Sequence, residues 1–407
     1  MNLDANHEPP GALVTPELLR WARVSANETT ETLAKACEVP PTEIAAWEAG
    51  AARPTIPQLR AFAKTCQRPI AIFFLDAIPA TFPLPAEFRA FAKGGIETVS
   101  PRTMFAIRNA VRVREIVLDL PRDVAGASGL SGFTPPTDLS LDPEVAGRQF
   151  REKSGITVAQ QIRWKSQSNA LDAWREFVEN QQVFVLQLRF PLEDARGFSI
   201  YSTICPIIVL NGADAATARS FTLFHELAHL LRGRSGVFRS AMAWETPRMD
   251  SKSGVAAVRV EREIENYCNR FAAAFLVPSG DSRVEQMLHS CIEDSRVSSD
   301  AVVKFANAMK VSRFVILRKL ESRGLISFEM MRTLEEAWNE TMPKSEDMPK
   351  PFGRPTEARK CVTRRGRTFV SLVLDAADAD RITTADLSDF LGLRLKHLDA
   401  VREQLAA

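Results

Sequence analysis

His225-Glu226-Leu227-Ala228-His229 places two imidazoles and a carboxylate within five residues of a chain that has five histidines in 407 positions. On a helix, positions i and i+4 share one face, so both imidazoles can reach one metal ion. Glu226 falls about 100° round the helix, close enough to polarise a water without being a ligand. Hydrolytic zinc chemistry needs this kind of arrangement: three protein ligands, one open position and a base. Phe221, Leu223, Leu227, Leu230 and Leu231 would pack the helix and keep the site dry. The motif alone is also compatible with an amphipathic helix carrying two solvated histidines.

The third ligand is expected from a second helix over Val255 to Leu276, stopped by Pro278-Ser279-Gly280. Its apolar face is Ile264, Cys268, Phe271 and Phe275, at spacings of 4, 3 and 4. Three acids precede the apolar run, Glu261, Glu263 and Glu265. Glu265 borders the packed face and is the expected ligand, whereas Arg262, Glu263 and Arg270 point away and Glu263 is expected to be solvated. Asn269, one turn on, either orients a ligand or satisfies a local backbone group. Tyr267 and Cys268 read as packing residues. His289 lies beyond both helices and is expected to be an unrelated histidine; His7 and His397, near the termini, receive no role.

The elements that must position these groups read as α+β. Strand candidates are Val183 to Leu186, Gly197 to Tyr201 and Pro206 to Leu210, the last closed by Asn211-Gly212; a helix from Ala213 to Leu231, stopped by Gly233, carries the motif. Upstream, 11–78 reads as short helices with tight turns, and 79–143 as a Pro-punctuated connector with one helix over 101–119. The metal-site segment is 144–280. Residues 281–340 read as all-helical, 341–367 as a polar, basic linker and 368–407 as a small helical end. Apolar residues are 45% and charged residues 25%, an ordinary globular balance, and the net charge is +2, which excludes a strong overall field toward nucleic acid or membrane. No stretch approaches the roughly 20 apolar residues of a membrane helix, and no basic-plus-apolar leader is seen. The six scattered cysteines contain no Cys-x-x-Cys pair and suit reduced thiols, so a cytoplasmic protein is expected.

His225-Glu226-Leu227-Ala228-His229, then Glu265-Asn266-Tyr267-Cys268-Asn269-Arg270-Phe271-Ala272-Ala273, and Leu276-Val277-Pro278 together resemble the ImmA/IrrE family of metallo-endopeptidases. The strand Ile207 to Asn211 before Phe221-Thr222-Leu223 is similar to that family's upstream signature. The resemblance covers roughly 145–280 and implies a zincin-like core, with His225, His229 and Glu265 as zinc ligands and Glu226 as general base. It further implies a protein substrate, since such members cut DNA-binding repressors or control stress and mobile-element switches.

Thr30 to Gly50, with Leu33, Ala34, Val39, Ile44 and Trp47 at packing positions, resembles an XRE-type helix-turn-helix, with Glu38 where glycine is usual. Its second helix, Pro41 to Glu48, offers no Arg, Lys, Gln or Asn to base edges, and 11–80 holds seven bases against seven acids. DNA contact would fall to Arg53, Arg60 and Lys64; pairing with another helix-turn-helix protein is the alternative. Phe305 to Ile326 resembles a winged-helix core. A second basic set, Arg359, Lys360, Arg364 and Arg365 with Arg354 and Arg367, opposes Glu357 alone and is either a solvated linker or a phosphate contact. Two functions therefore compete: a zinc endopeptidase cutting a repressor or antitoxin-like protein, and a DNA-binding regulator or antitoxin with a toxin partner that keeps the zincin as a sensor.

Overall fold

Short helices begun by prolines or hydroxyl caps build the N-terminal part. Pro16 opens α1 (Pro16–Ala26), and Thr29 caps α2 (Thr30–Cys37) by accepting the Thr32 N–H. Pro41 opens α3 (Pro41–Glu48), and Thr55 with Gln58 forms a capping box on α4 (Ile56–Thr65), which a 3-10 turn, Ile70–Phe74, follows. Glu38 stands between α2 and α3 at φ 58, the left-handed conformation for which the resemblance would supply glycine. Leu18, Leu33, Ile44, Trp47, Leu59, Phe62 and Phe73 form the buried core. Glu48 is also buried, and Arg23 donates to both of its carboxylate oxygens at 2.7 and 2.9 Å.

The computed structural model describes residues 11–26, 28–78, 100–120, 132–133, 141–238, 255–293, 296–340 and 355–406. His7, Arg354, and the expected connector apart from its helix and a few flanking residues lie outside them. The chain divides into two units, Met1–Asn109 and Ala110–Ala407, and α5 (Pro101–Asp119) is shared between them.

In the second unit, α6 (Pro143–Lys153), α7 (Val158–Arg163) and α8 (Gln167–Glu179) are begun by Asp142, Thr157 and Ser166 caps. The chain then enters a four-stranded sheet of order β1-β3-β2-β4: β1 (Phe184–Leu188), β2 (Gly197–Ile200), β3 (Ile207–Asn211) and β4 (Gly236–Phe238). β1 runs parallel to β3, and β2 is antiparallel to both of its neighbours. β3 is buried along its whole length, so it reads as a continuous apolar run with no alternation. The buried Asn211 ends it: its amide donates to Phe190 O and Ala195 O, and its Oδ1 accepts from Ala213 N, which fixes the turn into α9 (Ala216–Leu231).

α10 (Val255–Leu276) packs on α9 and α6. Phe224 stacks on Phe275 with ring centres 3.8 Å apart, and Trp174 meets Phe275 edge-on at 5.4 Å. The same core continues into α11 (Ser282–Ser290), α12 (Ser299–Met309), α13 (Arg313–Ser322) and α14 (Phe328–Glu340), so 281–340 is not a separately cored body. Nor is it all helix: β5 (Ile292–Glu293) and β6 (Arg296–Val297) form a short hairpin there, two residues per strand being too few to carry a periodic signal.

The expected linker also ends early. Thr356 caps α15 (Glu357–Arg365), whose Ala358, Cys361 and Val362 are buried at helical spacing, and α15 packs on β1. Three buried residues in so basic a segment suffice once a neighbouring strand covers them. Gly366, at φ 83, turns the chain into α16 (Arg367–Asp378), with α17 (Thr384–Leu391) and α18 (Leu398–Ala406) beyond. A Cβ at Gly366 would lie 2.6 Å from Glu179 Oε1 and 2.7 Å from Val185 O. Glu179 Oε2 accepts the Arg367 N–H at 3.2 Å, so a carboxylate from α8 serves as the missing N-cap of α16. Burial pushes the Glu179 carboxyl up to about 7, against the pull of Arg175.

Candidate metal centre

His225 and His229 are buried on α9 one turn apart, and their Nε2 atoms face each other at 3.1 Å. Glu265 reaches in from α10 and divides its carboxylate between them: Oε2 lies 3.2 Å from His225 Nε2 and Oε1 3.2 Å from His229 Nε2. These three side chains are the one group among the described residues whose donor atoms converge closely enough to hold a metal ion. Zinc–nitrogen and zinc–oxygen bonds of about 2.0–2.1 Å put tetrahedral ligands about 3.3 Å apart. The 3.1 Å between the two Nε2 atoms and the 3.2 Å from each to its nearer carboxylate oxygen are close to that spacing, and two imidazoles with one carboxylate are a catalytic zinc donor set.

The remaining contacts prepare the donors. Asn269, buried one turn after Glu265, places Oδ1 3.0 Å from His225 Nδ1. A carbonyl oxygen can only accept, so Nδ1 carries a proton and Nε2 is the nitrogen turned to the centre. Burial alone would raise the Glu265 carboxyl, but hydrogen bonding and charge from His225 and His229 hold it well below the usual carboxylate range. Phe221 leans on His225 with ring centres 6.2 Å apart. Glu226, also fully buried, points to the sheet, where Ser199 Oγ of β2 donates to its Oε2 at 2.6 Å. Gly236 N of β4 donates in turn to Ser199 Oγ at 3.0 Å.

The sequence expectations thus meet in space at His225, Glu226, His229, Glu265 and Asn269. Glu263 pairs with Arg259 at the surface, as expected of a solvated acid, and His289 is exposed. Tyr267 is half-buried under the Arg232 guanidinium, 4.4 Å away. Ser199 and Gly236 were not anticipated. A serine inside an otherwise apolar strand, Gly197-Phe198-Ser199-Ile200, was the available signal; β4, three residues long, offered none.

Gly236 has no room for a side chain. A Cβ there would lie 2.5 Å from His229 Cδ2 and 2.8 Å from Glu226 Oε2, both belonging to side chains locked in the interior. The Gly236→Ala chain is therefore expected to hold an added metal ion about 10–100-fold more weakly, the loss seen when the support of a ligand is disturbed. Competition against a chelating dye measures this, and parent-like affinity would show that His229 can yield.

Of the basic residues, Arg53, Arg60 and Lys64 are exposed and none is ion-paired among the described residues; the last two share one face of α4. In the C-terminal part Arg359 and Arg364 are exposed, but Lys360 is taken by Glu357 at 2.7 Å. Arg365, read with them as either a solvated linker residue or a phosphate contact, folds inward, and burial lowers its guanidinium pKa. The inward turn follows from α15 being a packed helix and not a linker.

Residues 178–321, which include α9 and α10, match a family model described as the IrrE N-terminal-like domain, and residues 19–73 match one described as helix-turn-helix. No curated protein and no solved structure matches the chain. Among the described residues no helix is long and apolar enough to cross a membrane.

Proposed function

From a chain that carries an IrrE N-terminal-like, metallopeptidase-like domain downstream of a helix-turn-helix domain, we propose a zinc-dependent endopeptidase that cuts a regulatory protein such as a repressor. The convergence of His225, His229 and Glu265 beside the buried Glu226 carries this reading. His225 and His229 hold the ion through Nε2 and Glu265 through its carboxylate, with Asn269 keeping the His225 tautomer. What zinc supplies when bound is Lewis acidity, which acidifies a water and draws charge from the scissile carbonyl. Glu226 takes the proton from the attacking water and returns it to the leaving amine, and the apolar packing of α9 and α10 excludes bulk water. Incubation of the zinc-loaded full chain with repressors encoded beside it is the test. Cleavage that stops on chelation and returns with zinc is expected; substrates left intact in every condition would sink the reading.

A second reading, contact with DNA, is favoured by the exposed Arg53, Arg60 and Lys64. The exposed surface of α3, with Pro41, Thr42 and Ala45, offers little to read bases, so phosphate contact dominates. Binding should weaken steeply with salt, by a log–log slope of about −0.9 per phosphate neutralised, and discriminate poorly between sequences. Absence of a retarded band at low salt would exclude it.

A further inference from the structure

We propose that Ser199 is the positioning residue of this centre, through which the backbone of β4 holds the Glu226 carboxylate in its working orientation. The inference rests on the peptidase reading above and adds a group outside the two ligand-bearing helices. Ser199 is fully buried between Phe198 and Ile200 in β2, where a hydroxyl is costly unless bonded on its own terms. Both of its contacts are made, and their direction is fixed. An amide N–H can only donate, so Gly236 N–H, 3.0 Å away, uses a lone pair of Ser199 Oγ. The single hydroxyl proton then goes to Glu226 Oε2 at 2.6 Å, the length of a charge-assisted O–H···O⁻ bond.

The chain of donors runs Gly236 N–H, Ser199 O–H, Glu226 Oε2. Oε2 thereby accepts the hydroxyl, and the bond fixes the plane of the carboxylate beside the His225, His229 and Glu265 group. A glutamate has three side-chain torsions, and its place on α9 settles only where the side chain starts. The last torsion, which sets the plane of the carboxylate, is held by this bond. Register makes the device depend on β4: Ser199 pairs opposite Gly236, and a slip of one residue turns the contact to the other face. Because β4 acts through a main-chain N–H, no side chain at 236 is needed, and none fits.

Four full-length proteins test the proposal: parent, Ser199→Ala, Glu226→Gln and the double variant. In metal-free protein, the unfolding midpoints of the two single variants are expected not to add in the double one, because Ser199→Ala removes the contact and Glu226→Gln strips the same contact of its charge. Zinc affinity of Ser199→Ala should equal the parent's, since no ligand is touched. With labelled casein as substrate, Ser199→Ala should lower kcat by roughly 30–100-fold and leave KM within a factor of two, as for a group that matters only at the transition state. Additive unfolding midpoints, zinc loss, or an unchanged kcat in Ser199→Ala would each overturn the proposal. Coupled midpoints with no turnover of any protein by the zinc-loaded parent would overturn the peptidase reading instead, and leave the contact standing.

Discussion

The Glu226→Gln chain is expected to keep its zinc while its turnover of a protein substrate falls by about 10²–10⁴-fold, the usual reach of a general base. Glutamine matches glutamate in size, so the fully buried site keeps its packing. Its carbonyl oxygen can still accept the Ser199 hydroxyl. What it lacks is a group able to take a proton at neutral pH. His225, His229 and Glu265 are untouched, and among the described residues they are the group whose donor atoms converge closely enough to hold an ion. Metal content and cleavage rate measured on one preparation separate binding from chemistry. A variant that cleaves at the parent's rate would remove Glu226 from the reaction.

The second large effect concerns the ion. Glu265→Ala is expected to weaken zinc binding by more than about 100-fold, beyond what loss of an outer partner produces. The carboxylate stands 3.2 Å from each Nε2, and without it the donors are two imidazoles on one helix. Zinc sites of this kind need three protein ligands to hold the ion with one position open. Glu263→Ala, two residues away, is the control: its carboxylate pairs with Arg259 in solvent and should be dispensable for the metal. Chelator competition on both variants decides the matter. Tight zinc in Glu265→Ala would place the third ligand elsewhere.

The converging group of His225, His229 and Glu265 was legible in the sequence because each of its parts is helical. His225 and His229 are related by one turn, and Glu265 could be separated from Glu263 by where each stands relative to Ile264, Cys268, Phe271 and Phe275, all of which are buried. The XRE-like pattern was legible for the same reason, down to the strained position, where Glu38 adopts the left-handed turn itself. Ser199 and Gly236 were not legible. Their meeting with Glu226 depends on the register of β2 with β4, which no local period encodes. Likewise α15 hides its apolar residues among basic ones, and it is β1 together with α16 and α18 beside it that makes Ala358, Cys361 and Val362 a core. Local periodicity reports what one element buries, and it is silent about what two distant elements bury together.

The match to the IrrE N-terminal-like domain ends at residue 321, but the physical body does not. β1 is the outer strand of the sheet, and an outer strand left bare recruits other chains. Helix α15 stands against it, and Arg175 clamps the two by donating to both Val185 O and Thr363 O. The Glu179 carboxylate beneath the Gly366 turn completes the join. The helices after residue 355 thus cover the edge of β1, and an expression boundary set after α13 would strip that cover from the strand.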